Sequence, residues 1–219
     1  MSAPQNIELR RELCAGMCRL ETLGLNRGTA GNMSARQPGG FLITPSGVKP
    51  GALAPAGIVA LSDAGDVRTA GQRPSSEWRF HRDIYHARPD AHAIAHVHSA
   101  HATALACLRR PLPSFHYMVA VAGGADVRCA PYATFGSQAL ADGVITALDG
   151  RRACLMANHG MITLGADLAA AVDLAVEIEE LARQYLLALA VGEPVILPPA
   201  EMDIVVEKFK TYGARHGDE

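Results

Sequence analysis

His96-Val97-His98 sets two imidazoles two residues apart. On a strand such residues project to the same side, so both can reach one metal ion. His159, in Asn158-His159-Gly160, offers a third nitrogen and leaves a position for a carboxylate, water or substrate, which is the pattern of a catalytic zinc site. By residue type alone His81, His86, His92, His101 and His116 are equally available, and an isolated His-x-His is as readily a partly buried polar pair. Glu77 follows Ser76 at a helix start. A glutamate there ordinarily complements the helix dipole; beside an ion it becomes a ligand or a general base.

A second group of residues suits an anion. Gly28 to Asn32, Ser46-Gly47 and Ser75-Ser76 combine glycines, which let backbone approach closely, with hydroxyl and amide donors. A helix beginning after Ser76 points free N–H groups at the same place, an arrangement fitting a phosphate monoester. The loop matches neither the P-loop nor the dinucleotide glycine pattern. Ordinary turns and helix caps would use the same residues.

The elements that must position these groups follow from periodicity. Leu9, Leu13, Met17 and Leu20 predict a helix over 7–23, stopped at Gly24. Short apolar runs at 41–44 and 58–61 read as strands, with a turn at Asp63-Ala64-Gly65-Asp66. Ser76 is expected to cap the next helix, with Glu77 in its first turn. Residues 94–97 read as a strand with a helix after Ser99, and 153–164 as two strands turning at Asn158-His159-Gly160. Leu168, Ala171, Ala175, Ile178, Ala182, Tyr185 and Leu189 mark one face of a helix over 168–190, capped by Asp167 and ended at Gly192. Mixed strands and helices predict a layered α/β fold.

Composition narrows the classes. The 219 residues suit one compact domain spanning 1–219, and no repeat or linker marks a boundary. A net charge of -2 gives no general reason to bind nucleic acid or an acidic membrane surface. The N-terminal MSAPQNIELRREL lacks the apolar run of a signal peptide, and the uncharged stretch 91–108 carries four histidines, unlike a membrane span. Five scattered cysteines (Cys14, Cys18, Cys107, Cys129, Cys154) are expected to be buried thiols of a cytoplasmic protein.

In order along the chain, GLNRGTAGN (24–32), LITPSG (42–47), PSSEWRFH (74–81), HVH (96–98), CAPYATFG (129–136) and NHG (158–160) resemble the class II aldolase/adducin family. PSSEWRFH, FHYM (115–118), APYATFG and EKFKTYG (207–213) resemble its bacterial L-fuculose-phosphate aldolase branch. The resemblance implies a three-layer α/β/α domain with a central, largely antiparallel sheet, in a homotetramer whose active sites lie between subunits. It implies one zinc per subunit, another divalent ion being possible, held by His96, His98 and His159, with Glu77 alternating between ligand and base. Thr29, Gly31, Asn32, Ser46, Gly47, Ser75 and Ser76 match phosphate-binding positions. Tyr117 matches a tyrosine reaching in from a neighbouring subunit, and Phe135 a site wall. Tyr212, in a tail over 207–219, matches one that closes over the site.

The implied reaction cleaves a ketose 1-phosphate, L-fuculose 1-phosphate first, to dihydroxyacetone phosphate and a short aldehyde (L-lactaldehyde) through a metal-stabilised enediolate. Two positions depart from the branch: Val97 stands between the first two ligands where a polar residue is usual, and Asn158 precedes the third where histidine is usual. Both are expected beside the metal, so aldolases of 5-deoxyribulose or methylthioribulose 1-phosphate, and a related dehydratase, stay open. A 4-epimerase is expected to carry aspartate at Glu77. A non-catalytic adducin-head module would not need the complete constellation, and a cupin would not contain the long helix 168–190.

Overall fold

The computed structural model describes residues 6–209; Tyr212 and the rest of the expected closing tail lie outside them. Helix α1 (Ile7–Thr22) buries Leu13, Met17 and Leu20, and Gly24 turns the chain out of it at φ 74°. There follow β1 (Asn32–Gln37), β2 (Gly40–Ile43), β3 (Val59–Ser62), α2 (Trp78–Ala87), β4 (Ala93–Val97) and α3 (Ala100–Cys107). A 3-10 segment (Tyr117–Ala122) leads to β5 (Cys129–Ala130), α4 (Gln138–Ala147), β6 (Ala153–Met156), β7 (Gly160–Gly165), α5 (Leu168–Val191) and α6 (Pro199–Phe209).

The seven strands form one sheet in the order β3-β2-β1-β4-β7-β6-β5. Every pairing is antiparallel except β5 with β6. Side-chain alternation divides the core into two layers. Ala93, Ala95 and Val97 of β4, with Ala153 and Leu155 of β6, face the apolar residues of α1, α3 and α5. Ile94 of β4, with Cys154 and Met156 of β6, faces Phe80 and Ile84 of α2 and Leu140 and Val144 of α4. Helices on both faces of a mostly antiparallel sheet make the three-layer α/β/α architecture expected from the motifs.

The alternation corrects one expectation. Val97 is fully buried in the layer of α3 and α5, on the face of β4 opposite its histidine neighbours, so it does not border their imidazoles. The cysteine expectation also changes. Only Cys154 is buried; Cys14, Cys18 and Cys129 are half-buried and Cys107 is exposed, because α1 and α3 each present their thiols at the margin of the core stripe.

Helix α5 spans the layer carrying most of the core, burying Leu168, Ala171, Ala175, Ile178, Ala182 and Tyr185. Val172, Leu174 and Leu181 widen that stripe, as a helix packed against both a sheet and other helices requires. Asp167 caps it, its Oδ1 accepting the N–H of Ala170 at 2.7 Å. Asp167→Ala is expected to lower unfolding stability by about 1 kcal/mol while Asp167→Asn loses less, a ranking read from denaturant midpoints at constant slope.

Candidate active site

Strand register brings the first ligand candidates together. His96 sits opposite Asn32 on β1 and Ile162 on β7, in the two central pairings of the sheet. Its ring meets Phe80 edge-on in the layer of α2. Nδ1 of His96 donates to the Met161 carbonyl at 3.0 Å, which leaves the Nε2 lone pair facing outward. His98 lies one residue past β4, where no ladder bond holds it. Its backbone N–H instead donates to Asn26 Oδ1 at 2.9 Å. Gly31, at φ 71°, lets the loop close around that amide: a Cβ there would stand 2.3 Å from Asn26 and 2.6 Å from the His96 carbonyl.

The third candidate comes from the β6–β7 turn. Asn158 is left-handed at φ 55°, and its backbone N–H donates to the Ala106 carbonyl at the end of α3. Arg109, also left-handed, donates from Nε to Asn158 Oδ1 at 3.0 Å. The turn is thereby tied to α3, which itself follows His98. Gly160 allows the close approach, since a Cβ would lie 2.4 Å from the Val97 carbonyl and 2.9 Å from the His98 ring. Helix α3 is capped from a distance. The Glu179 carboxylate on α5 accepts the backbone N–H groups of His101 and Ala102, each at 2.9 Å, while its own N-cap residue, Ser99, makes no side-chain cap bond.

Ligating nitrogens of His96, His98 and His159 fall within 4.8 Å of one another, all three mutually edge-on. Nε2 of His96 and Nε2 of His98 are 2.9 Å apart. Glu77 Oε2 is 3.2 Å from His96 Nε2, and Glu77 Oε1 is 3.2 Å from His159 Nε2. Ligands of a tetrahedral zinc with bonds of about 2.0–2.1 Å stand about 3.3 Å apart, so the set has the right span. Glu77 Oε1 is buried without a hydrogen-bond partner. An unpartnered carboxylate oxygen facing convergent imidazole lone pairs is compensated best by a cation, and these donors fit a divalent metal.

Glu77 is not in the first turn of α2, as expected, but is its N-cap residue. Ser76 does not cap the helix, and the Glu77 side chain makes no capping bond because it turns toward the imidazoles. Ser75 Oγ accepts the Glu77 backbone N–H at 3.3 Å. Burial alone would raise the Glu77 pKa; the close imidazoles of His96 and then His159 outweigh it and hold the carboxyl below the usual range. For His98, burial and then the charges of His96 and His159 push the pKa down to about 4. The ring is therefore neutral at pH 7, the form that binds metals.

A cavity of about 340 Å³ opens beside this cluster. Thr29, Gly31, Asn32, Ser46, Gly47, Ser75, Ser76, Glu77, His98, Phe135 and His159 line it, and His96 lies fully buried. Gly136, at φ 73°, seats the Phe135 loop against the Ser76 carbonyl, which a Cβ would approach to 2.7 Å. Asn32 Nδ2 is committed to Glu77 Oε2 at 2.9 Å. Tyr117 lies elsewhere, half-exposed in a groove with Met118, Val205 and Phe209. Residues not singled out by spacing also serve the site: Asn26 and Glu179 hold the backbone around His98, and Tyr132 and Ala133 extend the wall beside Phe135. Asn26 stands inside the glycine-rich motif, whereas nothing local to Glu179 signals its contact. Replacing His98 with Ala is expected to abolish stoichiometric divalent-metal binding measured by elemental analysis after gel filtration. His86→Ala, removing a histidine outside the cluster, should retain it.

The chain matches the model of the Class II Aldolase and Adducin N-terminal domain over residues 11–186. It is 54% identical to a 5-methylthioribulose-1-phosphate/5-deoxyribulose-1-phosphate aldolase of Rhodospirillum rubrum, covering 94% of this chain and 93% of that one. It is 47% identical to an L-fuculose phosphate aldolase of Escherichia coli O6:H1, covering 95% and 97%. A solved structure of an L-fuculose 1-phosphate aldolase superposes with a TM-score of 0.91 at 42% identity, covering 95% of this chain and 98% of that one. By sequence and by fold, the chain belongs to the class II aldolase and adducin N-terminal domain family.

Proposed function

We propose that this class II aldolase reversibly cleaves a ketose 1-phosphate to dihydroxyacetone phosphate and a short aldehyde. The observation that carries the reading is one cavity joining a glycine- and hydroxyl-rich cradle (Gly31, Ser46, Gly47, Ser75, Ser76) to the His98 and His159 imidazoles and the Glu77 carboxylate, with His96 buried behind them. The cradle suits a phosphate monoester, and anchoring that group places the sugar carbonyl beside the cluster. Zinc is the ion best suited to three histidines with an exchangeable fourth position. When bound, it supplies Lewis-acid polarisation of the carbonyl and stabilises the negative charge left by bond cleavage.

The chain's own groups handle the protons. Breaking the C3–C4 bond removes a proton from the C4 hydroxyl and returns one to C3 of the dihydroxyacetone phosphate half. Glu77, buried with Oε1 free of hydrogen bonds, serves the C3 proton. Tyr117 is exposed and does not line the cavity of its own chain, which supports its acting at the site of a second copy in a homotetramer. Among the described residues no helix is long and apolar enough to cross a membrane, in keeping with a cytoplasmic enzyme of sugar-phosphate metabolism.

Substrates differ at the aldehyde end. The 54% identity to the Rhodospirillum rubrum enzyme supports 5-methylthioribulose and 5-deoxyribulose 1-phosphates as first choice, ahead of the L-fuculose 1-phosphate that the motifs favour. The exposed aromatic pair Tyr132 and Phe135 on the cavity wall suits an apolar methylthio or methyl terminus. L-Fuculose 1-phosphate is the second reading, supported by the 47% identity to its aldolase. A retro-aldol panel of methylthioribulose, deoxyribulose, fuculose, rhamnulose and ribulose 1-phosphates, read as kcat/KM, should place the first two highest; no cleavage of any would overturn the reading. Glu77→Gln should lower kcat by about 10²–10⁴-fold and leave phosphate binding in place.

A further inference from the structure

Beyond Glu77 runs a line of buried polar side chains that neither the motifs nor the metal cluster explains. Asn32 Nδ2 donates to Glu77 Oε2 at 2.9 Å. Asn32 Oδ1 meets His81 Nε2 at 2.5 Å, His81 Nδ1 meets Ser34 Oγ at 2.7 Å, and Ser34 Oγ meets Tyr85 OH at 2.8 Å. All five residues are buried, with Ser34 and His81 at zero exposure.

Two periodicities build the line. Asn32 and Ser34 are two apart on β1, so they share one face of the sheet. His81 and Tyr85 are four apart on α2, and Glu77 is four before His81 at its N-cap, so these three share one side of the helix. Each hydrogen bond therefore crosses between helix and strand, and the two elements interlock rung by rung.

Proton counting gives the line a single direction. An ionised carboxylate only accepts, so the Asn32 amide must turn its nitrogen to Glu77 and its oxygen to His81. That oxygen needs a donor, so His81 carries its proton on Nε2. Burial, then the charge of His96, push the His81 pKa down to about 3, and the ring is neutral. Its Nδ1 is then an acceptor and takes the Ser34 hydroxyl proton, which leaves Ser34 Oγ to accept from Tyr85. Every donor points toward Glu77. The hydrogen bond from this line thus holds the carboxylate at Oε2, while Oε1 makes no hydrogen bond.

We infer that His81 is a positioning residue: locked as the Nε2–H tautomer by Ser34 and Tyr85, it fixes the Asn32 amide and through it the orientation of the Glu77 carboxylate. The inference rests on Glu77 acting as base in the proposed aldolase. Removing the donor lets the amide rotate and present its oxygen to the carboxylate, which misdirects Glu77 and leaves Ser46, Gly47, Ser75 and Ser76 in place.

The test uses the metal-loaded enzyme. In protein labelled with ¹⁵N at histidine only, and assigned with His81→Gln, the His81 ring should show Nε2 protonated and Nδ1 bare at pH 7. A proton on Nδ1, or on both nitrogens, overturns the inference. That measurement does not depend on which substrate is cleaved, so it separates failure of this inference from failure of the aldolase reading. In kinetics with the best ketose 1-phosphate, His81→Phe should retain metal, hold KM within about threefold and lose about 10–100-fold in kcat. His81→Gln keeps a donor near the Nε2 position and should recover kcat to within about threefold of wild type. Wild-type kcat in His81→Phe, or equal losses in both variants, would also refute it. If His81→Phe does not fold, the ring tautomer and the His81→Gln kinetics still decide.

Discussion

Burying a carboxylate is tolerable only where its charge is compensated, and the placement of Glu77 among His96, His98 and His159 sets the terms for the surrounding fold. The compensation must come from several directions at short range. One imidazole comes from a central strand, one from just beyond that strand, and one from the turn that enters the neighbouring strand β7, some sixty residues later in sequence. Only a sheet whose central pairings join β4 to both β1 and β7 brings these pieces together. The helices on either face then serve different needs: α2 carries the polar line to Glu77, and the opposite layer supplies most of the apolar burial.

The cluster is electron-rich and buried on its protein side, while the cavity side is lined by hydroxyls and glycines. In the proposed aldolase this asymmetry would let one pocket treat the two ends of a sugar phosphate differently. The anion would meet neutral donors that do not compete for a metal, and the reacting carbons would meet a buried site in which a charged acceptor is effective. The glycines at 31, 136 and 160 have a shared cause: each stands where loop or strand backbone comes closer to a neighbour than any side chain permits.

The His96 and His98 pair, the glycine-rich loop and the long helix α5 were legible in the sequence because each has a local signature: spacing by two on a strand, glycines among hydroxyls, and a 3.6-residue apolar stripe. His159 was singled out from the other histidines only by the family motifs. The α/β/α layering followed from the family motifs rather than from periodicity. Three features were not legible. Val97 looked like a neighbour of the metal, yet strand alternation sends it into the opposite core. Glu77 looked like an element of the first turn of α2, yet it occupies the cap with its side chain turned inward. His81 was one histidine among five of equal standing, since its part depends on rungs shared between a strand and a helix some fifty residues apart. Tertiary contacts of that kind leave no trace in any short window of residues.

Glu179 adds a constraint in time. The helix that continues from His98 has its free N–H groups closed by a carboxylate 77 residues downstream of Ala102, on α5. During synthesis His96 and His98 leave the ribosome long before His159, and His159 before Glu179. Because chains emerge N-terminal first, the N–H groups of α3 stay open until α5 has been made. A chain released short of residue 179 lacks the carboxylate that closes α3 and the C-terminal half of the helix packed against it.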